Sequence, residues 1–121
     1  MTGRSSKDSI IVMKFGGTSV QTKESRRHVI KHIRRNVESG KKVVAVVSAM
    51  GRKGAPYATD TLISLLKDVG EPINRAELDS VMSIGERLSS AYFSHLLTMN
   101  GMPAAAFTGG QAGILTESVR P

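Results

Sequence analysis

Residues 9–19, SIIVMKFGGTS, join an apolar run to two glycines and two hydroxyls. The run at 9–15 is broken only by Lys14, as expected of a buried strand, and Gly16-Gly17 ends it. A second run of the same kind, KVVAVVSA, occupies residues 42–49. Such uninterrupted stretches suit strands buried on both faces of a parallel sheet better than the alternation of a half-exposed one. Between them, over residues 23–39, Ile30, Ile33 and Val37 recur at helical spacing with Val29 beside them, and Gly40 supplies the stop. Strand, helix, strand is the order of a right-handed crossover between parallel strands, so the fold class is α/β.

Further along, residues 50–58 (MGRKGAPYA) read as loop, with two glycines, a proline and two adjacent cations. Thr59-Asp60 can cap the helix that follows, which carries Leu62, Ile63, Leu65, Leu66 and Val69. After Gly70-Glu71-Pro72, residues 74–99 read as helical in two segments, with Leu78, Met82, Leu88 and Phe93 as the apolar pattern, closed by Asn100-Gly101. PAAAFT at 103–108 is expected as a third short strand, residues 109–113 (GGQAG) as a second glycine-rich loop, and ILTES at 114–118 as the start of a strand or hairpin. Three strands leave a small sheet with open edges, so the domain is expected to be incomplete at the C-terminus. Residues 1–8 read as a short disordered tail ahead of a unit spanning 9–121.

The chain of 121 residues is long enough for a hydrophobic core, and its 40% hydrophobic and 22% charged content is ordinary for a globular protein. No apolar run approaches the length that crosses a bilayer, and no apolar segment follows the first charges as in a signal peptide. The absence of cysteine excludes disulfides and thiolate metal sites. A cytoplasmic location without membrane association is the expectation. The net charge of +7 is uneven: residues 1–42 hold eleven Lys/Arg and three acids, residues 43–121 six and seven. Much of the excess lies on RRHVIKHIRR at 26–35, where an apolar stripe puts the cations on the opposite face, the ordinary pattern of a helix covering a sheet. With 4% aromatic residues and no tryptophan there is no stacking platform for single strands, and nucleic acid is not an expected partner. His28 and His32 lack the third partner of a metal site, and no metal ligand set is expected.

In open α/β sheets, ligands bind beyond the carboxyl ends of the strands, where Gly16-Gly17 lies. Glycines let backbone N–H groups approach a phosphate closely, Thr18 and Ser19 add hydroxyls, and Lys14 adds a charge. A plain strand-to-helix turn would use the same residues. Neither G-x-x-x-x-G-K-[ST] nor G-x-G-x-x-G is present, so a phosphate site here is of another kind. Glu86 follows a mid-helix glycine, Gly85, which costs about 1 kcal/mol relative to alanine. Gly85 and Ser89 form a small-residue face at i, i+4, open to a ligand or to a backbone. By spacing alone Glu86 reads as an exposed acid pairing with Arg87 or a nearby lysine.

Four segments, in order, resemble the aspartokinases of the amino-acid kinase superfamily: VMKFGGTSV, VVAVVSAMG, SIGERLSS and FTGGQAGILT. The long loop SAMGRKGAPYATD resembles the diaminopimelate-sensitive type found in spore-forming bacteria. The resemblance implies a partial amino-acid-kinase fold, a mainly parallel sheet with helices on its faces in a three-layer α/β/α arrangement. It also implies transfer of the ATP γ-phosphoryl group to the β-carboxylate of L-aspartate, the first step toward lysine and diaminopimelate, threonine and methionine. It assigns Lys14, Phe15, Gly16 and Gly17 to ATP binding, with Lys14 catalytic, and Ser48, Thr59 and Glu86 to the substrate. Mg²⁺ is expected to arrive on the nucleotide, and the full-length protein to be a homo-oligomer. Because the second half of that domain supplies most of the adenine pocket, the 121-residue chain alone is expected to be inactive. The rivals are a kinase acting on glutamate or N-acetylglutamate, and a non-enzymatic module binding through its basic helix.

Overall fold

The computed structural model describes residues 9–52 and 54–117, so the expected tail at 1–8 lies outside the described residues. The elements are β1 (Ile10–Phe15), α1 (Gly17–Val20), α2 (Lys23–Glu38), β2 (Lys42–Val47), α3 (Thr59–Val69) and α4 (Arg75–Met99). Strands β1 and β2 pair in parallel from Ile10 opposite Lys42 to Phe15 opposite Val47. The expected α/β class and the crossover through a helix are what the structure contains.

Helix α2 begins with a reciprocal cap. Thr22 accepts from the Ser25 amide, and the Ser25 hydroxyl accepts from the Thr22 amide. This satisfies two donors that a helix start otherwise leaves unpaired. The helix ends where Gly40 takes a φ of 90°, a conformation that favours glycine. Its buried face is Arg26, Val29, Ile30 and Ile33. Val37, expected in that stripe, is exposed, and an arginine takes the first place in it.

Helix α4 is one continuous element rather than two, started by Asn74, whose side chain accepts from the Ala76 amide. Gly85 lowers helix propensity, but one residue does not break a 25-residue helix that packs from that very position onward. Its buried ridge is Gly85, Ser89, Phe93 and Leu97, a strict i+4 series. Met82 and Leu88, expected in the apolar face, are both exposed. Phe93 and Leu97 join Phe15, Val20, Val29, Ile30, Ile33, Met50 and Met102 in the core.

Sheet and helices meet on one side only. Met13, Phe15, Val43 and Val47 face the core, whereas Ile10, Val12, Val44 and Val46 on the other face are 66%, 66%, 50% and 48% exposed. Burial on both faces, and with it a third layer, is absent among the described residues. The third strand is also absent: residues 103–107 are exposed and irregular, and Ile114 to Glu117 form no strand. A strand needs a neighbour to take its amides and carbonyls, and the described sheet consists of β1 and β2 alone. The second glycine loop instead closes on itself. The Thr108 amide donates to Gln111 Oε1 and the Gln111 amide to Thr108 Oγ1, with Ile114 N–H bonding Gly109 O at 2.9 Å.

Candidate active site

Parallel strands put their carboxyl ends on one edge, and the Lys14–Gly17 stretch and Ser48 meet there. The Ser48 amide donates to the Phe15 carbonyl at 3.1 Å, extending the ladder one residue past β2. The buried Ser89 hydroxyl donates to the Ser48 carbonyl at 2.6 Å, fastening α4 to the same edge. One turn earlier, a Cβ built on Gly85 would stand 3.2 Å from the Ala49 Cβ and 3.7 Å from Thr59 Oγ1. The small face of α4 is therefore occupied by the protein's own loop after β2, not left open for a ligand. Its effect is to bring α4, at Gly85 and Ser89, against Thr59 and Ser48.

Lys14 is exposed at the end of β1, and Phe15 beside it is buried in the core. Gly16 is the N-cap of α1, with φ −78° and ψ −177°, and Gly17 is the helix's first residue. Neither has a positive φ. A Cβ on Gly16 would meet nothing within 4 Å, and one on Gly17 only Gln21 Nε2 at 4.0 Å. These glycines are needed neither by the turn nor by the packing around them. Open space over the backbone is what they provide. Ser19 N–H reaches the Gly16 carbonyl at 3.0 Å, while the first amides of α1 precede any carbonyl of their own helix that they can bond.

Thr59 is the first residue of α3, not its cap: the cap position is Ala58, which offers no side-chain hydrogen bond. The Thr59 hydroxyl is thus not spent on the helix start. Its loop is held by other residues. Thr61 Oγ1 donates to the Ala55 carbonyl at 2.8 Å, and Gly51 lies so close to Ala58 that a Cβ there would press on that residue's backbone. Glu86 is exposed, and no ion pair with Arg87 forms among the described residues. Phe15 and Ser48 are thus joined at the carboxyl edge of the sheet, and Thr59 lies against Gly85 of α4. Thr18 and Ser19 lie within α1, and neither caps α2.

Arg26 escaped the sequence reading, where it counted as one more cation of a basic helix. It is 7% exposed, with Nε bonded to the Val20 carbonyl at 2.7 Å and another guanidinium nitrogen to the Gln21 carbonyl at 3.0 Å. Its guanidinium lies 5.0 Å from the centroid of the Tyr92 ring. It joins α1 to α4 and so braces the segment after the glycine pair. Its place three residues before Val29 in the buried stripe was the available signal.

A parallel βαβ crossover with a glycine pair and a lysine at the carboxyl edge defines a class, and the chain belongs to the amino acid kinase family, whose profile matches residues 9–121. Within it, the chain is similar to aspartokinases. It is 52% identical over 108 residues to Aspartokinase 1 of Bacillus subtilis strain 168, covering 89% of this chain and 27% of that protein. Identity to the aspartokinase of Geobacillus stearothermophilus is 42% over 110 residues, covering 91% of this chain and 26% of that one. The crystal structure of aspartate kinase from Synechocystis superposes with a TM-score of 0.64 at 40% identity, over 76% of this chain and 15% of that chain. The chain thus spans about a quarter of the length of the first two relatives.

Proposed function

We propose that this chain forms the phosphate-binding part of an aspartate kinase active site, the N-terminal portion of a catalytic domain that converts L-aspartate and ATP to 4-phospho-L-aspartate. The observation that carries this reading is the glycine pair at the end of β1, which neither backbone conformation nor packing requires. Similarity to aspartokinases favours aspartate over glutamate or N-acetylglutamate as acceptor.

The chemistry asks little of a general base, because the attacking carboxylate is already ionised. The barrier is the approach of one anion to another, so positioning and charge neutralisation decide the rate. Lys14 meets the transferring phosphoryl group. Gly16, Gly17 and the Phe15 backbone admit the phosphates close to the chain, and amides at the start of α1 donate to them. Glu86 holds the α-ammonium group of aspartate, with the hydroxyls of Thr59 and Ser48 completing its polar surroundings. Mg²⁺ in this scheme is carried by the nucleotide's phosphates. The setting is a cytoplasmic homo-oligomer serving lysine and diaminopimelate synthesis, with small molecules rather than nucleic acid or membrane as partners.

A chimera tests the proposal. Residues 9–117 replace the corresponding segment of the Bacillus subtilis Aspartokinase 1, and aspartyl phosphate is trapped as its hydroxamate. The chimera should turn over ATP and aspartate, and Lys14→Ala should lower kcat by about 10²–10³, the usual loss for one donor to transition-state charge. A folded chimera without activity overturns the assignment. The 121-residue chain by itself should show no turnover.

A further inference from the structure

Helices α2 and α4 run side by side in the same direction: Arg26 meets Tyr92 and Arg34 meets Asn100, the same spacing of 66 residues at both ends. Along their seam lies a groove of about 260 Å³. Lys23, Arg27, Lys31 and Arg34 line it, Arg26 and Tyr92 form its floor, and no carboxylate borders it. A helix that covers a sheet ordinarily turns solvated charges outward, but two features set this face apart.

The first is Arg26. Its three hydrogen bonds end on the Val20 and Gln21 carbonyls and the Tyr92 hydroxyl, all neutral. A buried guanidinium without a counter-charge is unfavourable, and nothing among the described residues supplies one. The second is density. Lys23 and Arg34 are separated by about 16 Å of helix, so five positive charges lie within about two Debye lengths of one another. Lys23, Arg27 and Lys31 make no ion pair among the described residues, and Arg34 donates to the Asn100 carbonyl at 2.6 Å. Tyr92 accepts from Arg26 and keeps its own proton to donate.

We propose that this groove is a binding site for a short polyphosphate, a di- or triphosphate group either free or as the tail of a nucleotide, separate from the glycine pair. Its size matches: about 260 Å³ is room for such a group but not for a folded peptide segment. Arg27 and Lys31 would contact the terminal oxygens, with Arg26 and the Tyr92 hydroxyl beneath.

The test is calorimetric titration of the 121-residue chain with tripolyphosphate, with ATP and with adenosine, at several salt concentrations. Saturable tripolyphosphate binding is expected, weakening as salt rises. Measured in the Lys14→Ala background, which removes the cation of the glycine-pair site, the double variant Arg27→Ala/Lys31→Ala should lose about tenfold in affinity, as expected for two exposed charge pairs, while Arg35→Ala leaves it unchanged. Arg35 is an exposed cation of the same helix that does not line the groove, so an equal loss in Arg35→Ala would mean diffuse attraction and overturn the site. Loss confined to Lys14→Ala would place the anion at the glycine pair and also overturn it, while leaving the kinase reading intact. ATP binding more tightly than tripolyphosphate to Lys14→Ala supports a nucleotide as the natural source. Equal affinities with no adenosine binding support a free polyphosphate.

Discussion

Ser89 is fully buried, and its hydroxyl donates to the Ser48 carbonyl at 2.6 Å. Since the Ser48 amide bonds the Phe15 carbonyl, one side chain ties the middle of α4 to the ends of both strands. Ser89→Ala leaves that carbonyl unpaired in the interior, which costs about 1–3 kcal/mol. Urea denaturation of the variant should show a lower midpoint with an unchanged slope.

Gly85 gives α4 its close approach to the loop after β2. Gly85→Ala gains about 1 kcal/mol of helix propensity but sets a methyl 3.2 Å from the Ala49 Cβ. The two effects should nearly cancel in stability. Gly85→Val brings no such propensity gain and crowds further, costing about 1–3 kcal/mol. Both substitutions push α4, and Glu86 with it, away from Ala49 and Thr59, so in the aspartokinase chimera KM for aspartate should rise in each, more so in the valine variant. An unchanged KM in both would show that this contact does not set substrate geometry.

Gly51 faces a harder obstacle. An added Cβ would stand 2.9 Å from the Ala58 nitrogen and closer still to its Cα, and a backbone cannot swing aside as a side chain can. Gly51→Ala should therefore open the loop between Met50 and Ala58 and destabilise by about 1–3 kcal/mol. Thermal melting should show the loss. Proteolysis should then cut within that loop before it cuts elsewhere.

Periodicity and end signals made the two strands and helices α2, α3 and α4 legible, though not the short α1, because local chemistry decides them: apolar runs, Gly40 and Gly101 after the helices, and Asn74 at the start of α4. What could not be read depends on neighbours distant in sequence. PAAAFT has strand-like composition, yet no described strand lies beside it. Ile10, Val12, Val44 and Val46 suit a covered sheet face that the described residues leave open. The ridge of α4 was misplaced because Ser89 and Gly85 bury as well as Phe93 does, and hydrophobicity gives no hint of that. The Lys14–Gly17 stretch stands out by residue type and by its place at the carboxyl end of the first strand. The assignment of Ser48, Thr59 and Glu86 to the substrate came from a family resemblance, and the structure shows only that Gly85 and Ser89 of α4 pack against Thr59 and Ser48.

Arg26 braces the joint between α1 and α2 through two carbonyls on one side and Tyr92 on the other. Lysine cannot reproduce that fork, since its ammonium is a compact point charge without a planar array of donors. Arg26→Lys should thus destabilise nearly as much as Arg26→Ala, by about 2–4 kcal/mol in each case. Arg26→Met keeps most of the packing and removes the unbalanced charge, so it should be the mildest of the three. Chemical denaturation of the three variants in parallel gives the order. If lysine proved the mildest, charge rather than geometry would be the important property.

The glycine pair offers the clearest separation of fold from function. Gly16 has a backbone conformation open to any residue, Gly17 starts a helix, and neither position is crowded. Alanine at either place restricts the unfolded chain without straining the folded one, which stabilises by about 0.4–1 kcal/mol. In the isolated chain, Gly16→Ala and Gly17→Ala should each raise the melting temperature slightly. In the aspartokinase chimera the same methyl groups would stand where phosphate oxygens approach the backbone, so activity should fall steeply and KM for ATP should rise. A simple strand-to-helix turn predicts the stabilisation without the loss of activity. Measuring both quantities on the same two variants therefore decides between a turn and a phosphate cradle.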